Sequence, residues 1–289
     1  MMKLRRALVV PLIAGVLLAG GGAALASTAD SGAAHAKASV SSSASVSSSA
    51  SVSSSSAVKP TIVLVHGAFA DSSSWDQEIQ FLQNQGYPVI AVANPLRDVG
   101  SDSAYLLSVL KTIPGPIVLV GHSYAGFPIS AAAAADSEVK ALVYVAAYIP
   151  DAGETPADLT YKFPGSLLQG SNLVERAEPG GTDIYINPAD FGQVYAGGLS
   201  ATQTAIAAAT QRPITASALN DPATVNPPAS VPKWEIVALE DHAIPTQAEF
   251  YMAKRADAHI VTTNSGHDVP AARPGVVDSV ILQAVQSVS

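Results

Sequence analysis

The sequence predicts an α/β fold: a mostly parallel central sheet flanked by helices, with an inserted cap. Three observations carry that prediction. Short apolar runs, several of them β-branched, alternate with stretches of helical spacing from Thr61 to Ala146 and again from Trp234 onward. Such runs read as strands buried on both faces, the habit of parallel sheets. One of them, Ile117 to Val120, leads into Gly121-His122-Ser123 and an alanine-rich helical run. That is a strand–turn–helix unit with a serine at its apex. Between about 151 and 232 the rhythm lapses into Pro- and Gly-rich chain with only short helical runs, such as 200–210. This stretch reads as a cap over the carboxyl edge of the sheet.

The first 57 residues stand apart from that pattern. Lys3, Arg5 and Arg6 precede an apolar run from Ala7 to about Ala24, and Ala24-Leu25-Ala26 is an A-x-A cleavage pattern. Residues 1–26 therefore read as a secretory signal peptide. An uncleaved anchor is the competing reading, because the run is close to the ~20 residues that span a bilayer. Secretion follows from the first reading, with no stable membrane insertion once the leader is removed. Residues 27–57 are nearly all Ser, Ala and Val. They lack the large apolar side chains that would offset their ordering entropy, and so read as a flexible linker. The chain has no cysteine, which rules out disulfides and a lipoprotein anchor and leaves the fold to its core alone.

Residues 58–289 are long enough for one domain with a good core. The whole chain carries a net charge of −8, and loss of the basic leader makes it more negative. That argues against nucleic acid and anionic membrane surfaces as partners.

Thr61-Ile62-Val63-Leu64-Val65 is the first buried strand, and His66-Gly67-Ala68-Phe69 the turn after it. Asp71 and the serines that follow supply a helix N-cap before Trp75, and the helix runs from about Ser74 to Asn84, with Gly86 past its end. Val89 to Val92 is the second strand, closed by Asn94-Pro95. Leu106, Leu107, Val109 and Leu110 share a face of a helix over 101–112. The strand bearing Ser123 comes next, then a helix from about Tyr124 to Ala135 with Pro128 near its first turn. Val139 to Ala146 is another strand. After the cap, Trp234 to Leu239 and His259 to Thr263 are strands, and helices span 245–256 and 274–288.

The chemistry follows from Ser123. A serine hydroxyl needs a base to take its proton, and histidine titrates near neutrality. A carboxylate should fix the imidazole tautomer. On a fold of this kind the order is nucleophile, acid, histidine. His267, in Asn264-Ser265-Gly266-His267-Asp268 after the last strand, is the favoured base, with His242 second. Asp241 is the favoured acid, with Asp151 and Glu240 as alternatives. Two N–H donors should hold the tetrahedral oxyanion: Tyr124, and one from the turn after the first strand, where Ala68 is placed ahead of Phe69. His66 reads as structural. Phe69 and Trp75 are expected to line the substrate pocket, as core aromatics otherwise. No histidine–carboxylate cluster has ligand-like spacing, so no metal or organic cofactor is expected.

Four elements then resemble the α/β-hydrolase fold family in order: His66-Gly67-Ala68-Phe69, Gly121-His122-Ser123-Tyr124, Asp241-x-x-Ile244-Pro245 and Gly266-His267. The likeness covers about 58–289. It is strongest to the small capped esterase and hydroxynitrile lyase branch, which Ile149 to Glu154 and Gln211-Arg212-Pro213 also resemble. The fifth position of the serine turn departs from the family's G-x-S-x-G, with Ala125 in place and Gly126 one later. The resemblance implies a Ser123–Asp241–His267 triad in a serine hydrolase whose substrate is a small-molecule carboxylic ester. Two other readings remain. One is a lyase acting on cyanohydrins, for which the branch uses a cap lysine and Lys162 is available. The other is a non-catalytic small-molecule-binding protein.

Overall fold

The computed structural model describes residues 58–288. The segments read from the sequence as a signal peptide (1–26) and a flexible linker (27–57) lie outside the described residues. Six strands form the central sheet: β1 (Thr61–Val65), β2 (Val89–Val92), β3 (Ile117–His122), β4 (Val139–Val145), β8 (Lys233–Ala238) and β9 (His259–Thr263). Their order is β2-β1-β3-β4-β8-β9, and every neighbouring pair is parallel. Between β4 and β8 lie three strands that the Pro/Gly-rich reading did not foresee, described below.

Side chains alternate across each strand, so one sheet supplies two cores. Val63, Val65 and Leu119 join Leu106 and Leu110 of α2 (Val99–Leu110) and Phe127 and Ile129 of α3 (Gly126–Ala135). Ile62, Leu64, Val118 and Val120 face the other way, onto Leu82 of α1 (Asp76–Asn84) and Val280, Ile281 and Ala284 of α10 (Pro274–Ser287). The helix α8 (Thr246–Arg255) packs Met252 and Ala253 into the first core.

The cap differs from its sequence reading. It carries a three-stranded antiparallel sheet of β5 (Leu173–Glu178), β6 (Gly181–Ile186) and β7 (Ile214–Thr215). Pro179-Gly180 closes the β5–β6 hairpin, and the same residues had suggested irregular chain. Short helices α4 (Pro156–Thr160), α5 (Phe191–Val194), α6 (Ala201–Thr210) and α7 (Ala216–Asn220) complete it. A last short helix, α9 (Val269–Ala272), follows the His267 loop. Among the described residues no helix is long and apolar enough to cross a membrane.

One buried group makes stability depend on pH. Glu78 of α1 is fully buried with neither carboxyl oxygen hydrogen-bonded. Burial, reinforced by Asp278 and Asp268 nearby, pushes its pKa from 4.5 up to about 8. A carboxyl raised in this way contributes fully below its unfolded pKa, and that contribution is lost as pH rises toward 8. At pH 7 the proton held against solution costs ~3 kcal/mol. Glu78→Gln keeps the shape and removes the titration. Its melting temperature should exceed that of the wild type by several degrees at pH 8 and match it near pH 4.5. Thermal melts across that range test this, and a gain independent of pH would contradict it.

Candidate active site

The site is built at the carboxyl ends of β3, β8 and β9. After β3 the chain turns so sharply that Ser123 adopts φ +56°, a left-handed conformation that costs a non-glycine residue energy and marks a nucleophile turn. Two close approaches impose this turn. A Cβ on Gly121 would meet Ile129 Cδ1 at 2.8 Å, and one on Gly126 would meet the Tyr148 carbonyl oxygen at 1.8 Å. Gly126 thus admits the chain after β4 against α3, and Tyr148 N–H donates to the Ser123 carbonyl at 3.2 Å. Ala125, at the fifth position of the turn, is fully buried.

The Ser123 hydroxyl donates to His267 Nε2 at 2.7 Å, and His267 Nδ1–H donates to Asp241 Oδ2 at 2.6 Å. The tautomer follows, because a carboxylate only accepts. Asp241 is oriented in turn by its own loop: Oδ1 accepts the N–H groups of Ala243 at 2.6 Å and Ile244 at 2.9 Å. This is the turn an Asp favours when it bonds the backbone two residues on. All three side chains are buried, with Ser123 only 6% exposed.

The turn after β1 lies against the serine. A Cβ on Gly67 would meet Ser123 Cβ at 2.6 Å and the His122 carbonyl at 2.7 Å. His66 is fully buried; its Nδ1–H donates to the Gly67 carbonyl at 2.9 Å and its Nε2 accepts Asn94 N–H at 3.0 Å. Burial lowers its pKa to about 4, so it is a neutral structural brace. Of the two N–H groups considered in this turn, Phe69 N–H is taken by the Arg212 carbonyl at 2.9 Å. That leaves Ala68. Among the described residues neither Ala68 N–H nor Tyr124 N–H has a backbone acceptor.

The model of the alpha/beta hydrolase family matches residues 62–279, well over half of the chain. The chain belongs to the alpha/beta hydrolase family. Among curated relatives, an alpha-hydroxynitrile lyase of Arabidopsis thaliana is 31% identical, over 38% of this chain and 49% of its own length. Methylesterase 2 of the same plant is 28% identical, over 43% and 53%. The chain spans about half the length of these relatives. Solved structures share the fold at 20% identity: polyneuridine aldehyde esterase, with TM-score 0.67 over 78% of this chain and 98% of that one, and a pyrethroid hydrolase from Sphingobium faniae, with TM-score 0.63 over 78% and 97%.

Within this fold the other sequence candidates stand elsewhere. Asp151 pairs with Arg255 at 3.0 Å. Glu240 and His242 are exposed, and His242 Nδ1–H donates to the Gln193 carbonyl at 3.1 Å. Lys162 is exposed, with its Nζ 4.6 Å from the centre of the Tyr251 ring of α8. Trp75, expected in the substrate pocket, is instead fully buried core, its ring edge-on to His122 at 6.4 Å. The residue closes the 3-10 turn before α1 and joins the core formed by Ile62, Leu64, Val118 and Val120. Phe69 does line cavities. One, of about 40 Å³, is bounded by Leu168, Leu173, Ile184 and Leu219 of the cap. The other, of about 230 Å³, is bounded by Asp71, Gln203, Ile206 and Tyr195.

The cap is hydrogen-bonded to the turn after β1, to the Asp241 loop and to the His267 loop. Leu167 N–H donates to the His242 carbonyl at 2.7 Å and Ser166 Oγ to that of Ala243 at 2.8 Å, both beside Asp241. Asp268 N–H donates to the Tyr195 carbonyl at 3.0 Å, and the Tyr195 ring packs edge-on to His267 at 5.0 Å. Gly266 is required there, since a Cβ would meet Gly197 Cα at 2.7 Å.

Sequence reasoning missed four buried groups. His122 is fully buried with its Nε2–H donating to the His267 carbonyl at 2.9 Å, and burial holds its pKa well below the usual value. Glu235 and Glu249, both fully buried, are pushed well above the usual carboxylate range by burial, with the nearby Asp241 charge adding to the shift. Glu249 also accepts Ala238 N–H at 2.8 Å. A glutamate inside the buried run Trp234-Glu235-Ile236-Val237 was a visible sign. Asp268, raised to about 6 by burial, is the fourth. Among the described residues no group of three or more His, Cys, Asp or Glu side chains is placed to hold a metal ion.

Proposed function

We propose that this chain is a secreted serine hydrolase that cleaves small-molecule carboxylic esters, in the small capped esterase and lyase-like branch of its family. The reading is carried by one observation: a serine in a strained turn, hydrogen-bonded to an imidazole that is itself hydrogen-bonded to a buried carboxylate. His267 Nε2 takes the Ser123 proton as Oγ attacks the ester carbonyl. The Ala68 and Tyr124 N–H groups hold the oxyanion, which such donors stabilise by ~3 kcal/mol each. The protonated imidazole, stabilised by Asp241, then gives its proton to the leaving alcohol. Water, activated by the same imidazole, releases the acyl group.

The esterase relatives support ester hydrolysis, and the lyase among the relatives makes cyanohydrin cleavage the reading to test against it. Export is read from the leader alone, and N-terminal sequencing of exported protein should begin at Ser27.

The activity test is a chain-length series of p-nitrophenyl esters, with cyanide release from a cyanohydrin measured in parallel. Ester turnover without cyanide release is expected. Cyanide release with no action on p-nitrophenyl acetate would replace this reading with the lyase.

A further inference from the structure

Arg97, in the loop between β2 and α2, is tied into its surroundings at every polar atom. Its backbone N–H donates to both oxygens of Asp102 at 3.2 Å. Its Nε donates to the Pro95 carbonyl at 3.1 Å. Its Nη1 pairs with Asp183 of the cap strand β6 at 2.8 Å, and its Nη2 donates to the Pro213 carbonyl at 3.2 Å. Its own carbonyl accepts from the hydroxyls of Thr215 and Ser217. An isolated surface ion pair contributes ~0–1 kcal/mol, so stability alone gives no reason for one arginine to join α2, the cap strand β6 and the cap segment at 213–217.

Two routes lead from Arg97 to the proposed oxyanion donors. Asp102, which Arg97 N–H holds, accepts the Tyr124 hydroxyl at 2.9 Å. Tyr124 follows the nucleophile and supplies one donor. On the other side, Pro213 follows Arg212, whose carbonyl takes Phe69 N–H at 2.9 Å. Phe69 sits at φ +62°, a conformation that persists only when its surroundings hold it. It follows Ala68, which supplies the other donor. Arg97 therefore joins the two sides: its backbone N–H holds Asp102, the anchor of one donor, and its guanidinium fork holds Asp183 and the Pro213 carbonyl of the cap segment that fixes the other. A bidentate, planar group suits this task where a lysine does not.

We propose that Arg97 is a positioning residue that keeps the two backbone donors of the oxyanion site in register with each other, through Asp102 and Tyr124 on one side and Asp183, Pro213 and Arg212 on the other. The proposal rests on the ester-hydrolase reading. It also makes the cap sheet part of the catalytic geometry, because Ile184, next to Asp183, bounds the small cavity that Phe69 shares.

The test uses Arg97→Ala, Arg97→Lys and Asp183→Asn, with wild type and Ser123→Ala beside them. kcat and KM are measured separately on p-nitrophenyl acetate. Affinity is measured for a trifluoromethyl ketone, whose carbonyl carbon bonds to the serine oxygen while its own oxygen takes the negative charge and His267 the proton. Arg97→Ala should lower kcat ~10- to 100-fold, with KM changing less than ~3-fold. The ketone's inhibition constant should rise by the same factor, and the shape of the pH–rate profile should be unchanged. Arg97→Lys and Asp183→Asn should fall between. If Arg97→Ala does not fold, Tyr124→Phe removes only the hydroxyl bond to Asp102 and should show the same split at smaller amplitude. A loss confined to KM, or unchanged kcat and ketone affinity in variants of an active wild type, overturns the proposal alone. A wild type that neither hydrolyses the ester nor binds the ketone overturns the hydrolase reading and this proposal with it.

Discussion

Ser123→Ala should lower kcat/KM on p-nitrophenyl esters by at least ~10³-fold while the protein keeps its fold and melting temperature. The alanine removes only the oxygen that bonds His267 at 2.7 Å. It leaves the turn backbone, the Tyr148 bond to the Ser123 carbonyl and both candidate oxyanion donors in place. It removes no buried apolar volume, so stability has little reason to change. His267→Ala should lose activity to a similar extent, because the members of such a line act as a unit and their losses do not add. Asp241→Asn should also lose heavily, since an amide lets the imidazole adopt the tautomer that cannot accept the serine proton. Retained turnover in Ser123→Ala would take the residue out of the mechanism.

Gly67→Ala should be the most damaging substitution outside those three. Its Cβ would stand 2.6 Å from Ser123 Cβ, 2.7 Å from the His122 carbonyl and 3.3 Å from Ser123 Oγ. None of these is the free end of a flexible side chain, so backbone must move. The backbone that moves either carries the nucleophile or carries Ala68 N–H. Overpacking of this kind costs ~1–3 kcal/mol in stability. Displacing an oxyanion donor costs ~10²-fold or more in kcat. Both should appear together, as a lower melting temperature and a lower kcat. Gly275→Ala is the control: nothing lies within 4 Å of its added Cβ, and it should leave both unchanged. Full activity in Gly67→Ala would mean that the turn after β1 does not support the reaction.

The central sheet was legible because parallel strands bury both faces and so read as unbroken apolar runs, Thr61–Val65 and Ile117–Val120 most clearly. The positions of Ser123, Asp241 and His267 were legible because each follows such a run directly, and the ends of parallel strands share one rim. The cap was not. Its hairpin turns on Pro179-Gly180, and the same residues signal loops when no partner strand is in view. Trp75 was misplaced because an aromatic beside a site loop has the same sequence signature whether it faces ligand or core. The Arg97 network was invisible for a different reason. Asp183 and Pro213 lie 86 and 116 residues further along the chain, and no local pattern links them. Glu249 looks like an ordinary surface charge until the elements that bury it are assembled, whereas Glu235 stands inside an apolar run.

Nucleophilic activation of Ser123 by His267 is tested most directly by the mass of the intact protein after reaction with a fluorophosphonate. Wild type should gain one phosphonyl group, displacing fluoride, and digestion should locate it on the peptide containing Ser123. His267→Ala should react far more slowly, and Ser123→Ala should gain nothing. An unmodified wild type, or an adduct that persists in Ser123→Ala, would contradict it.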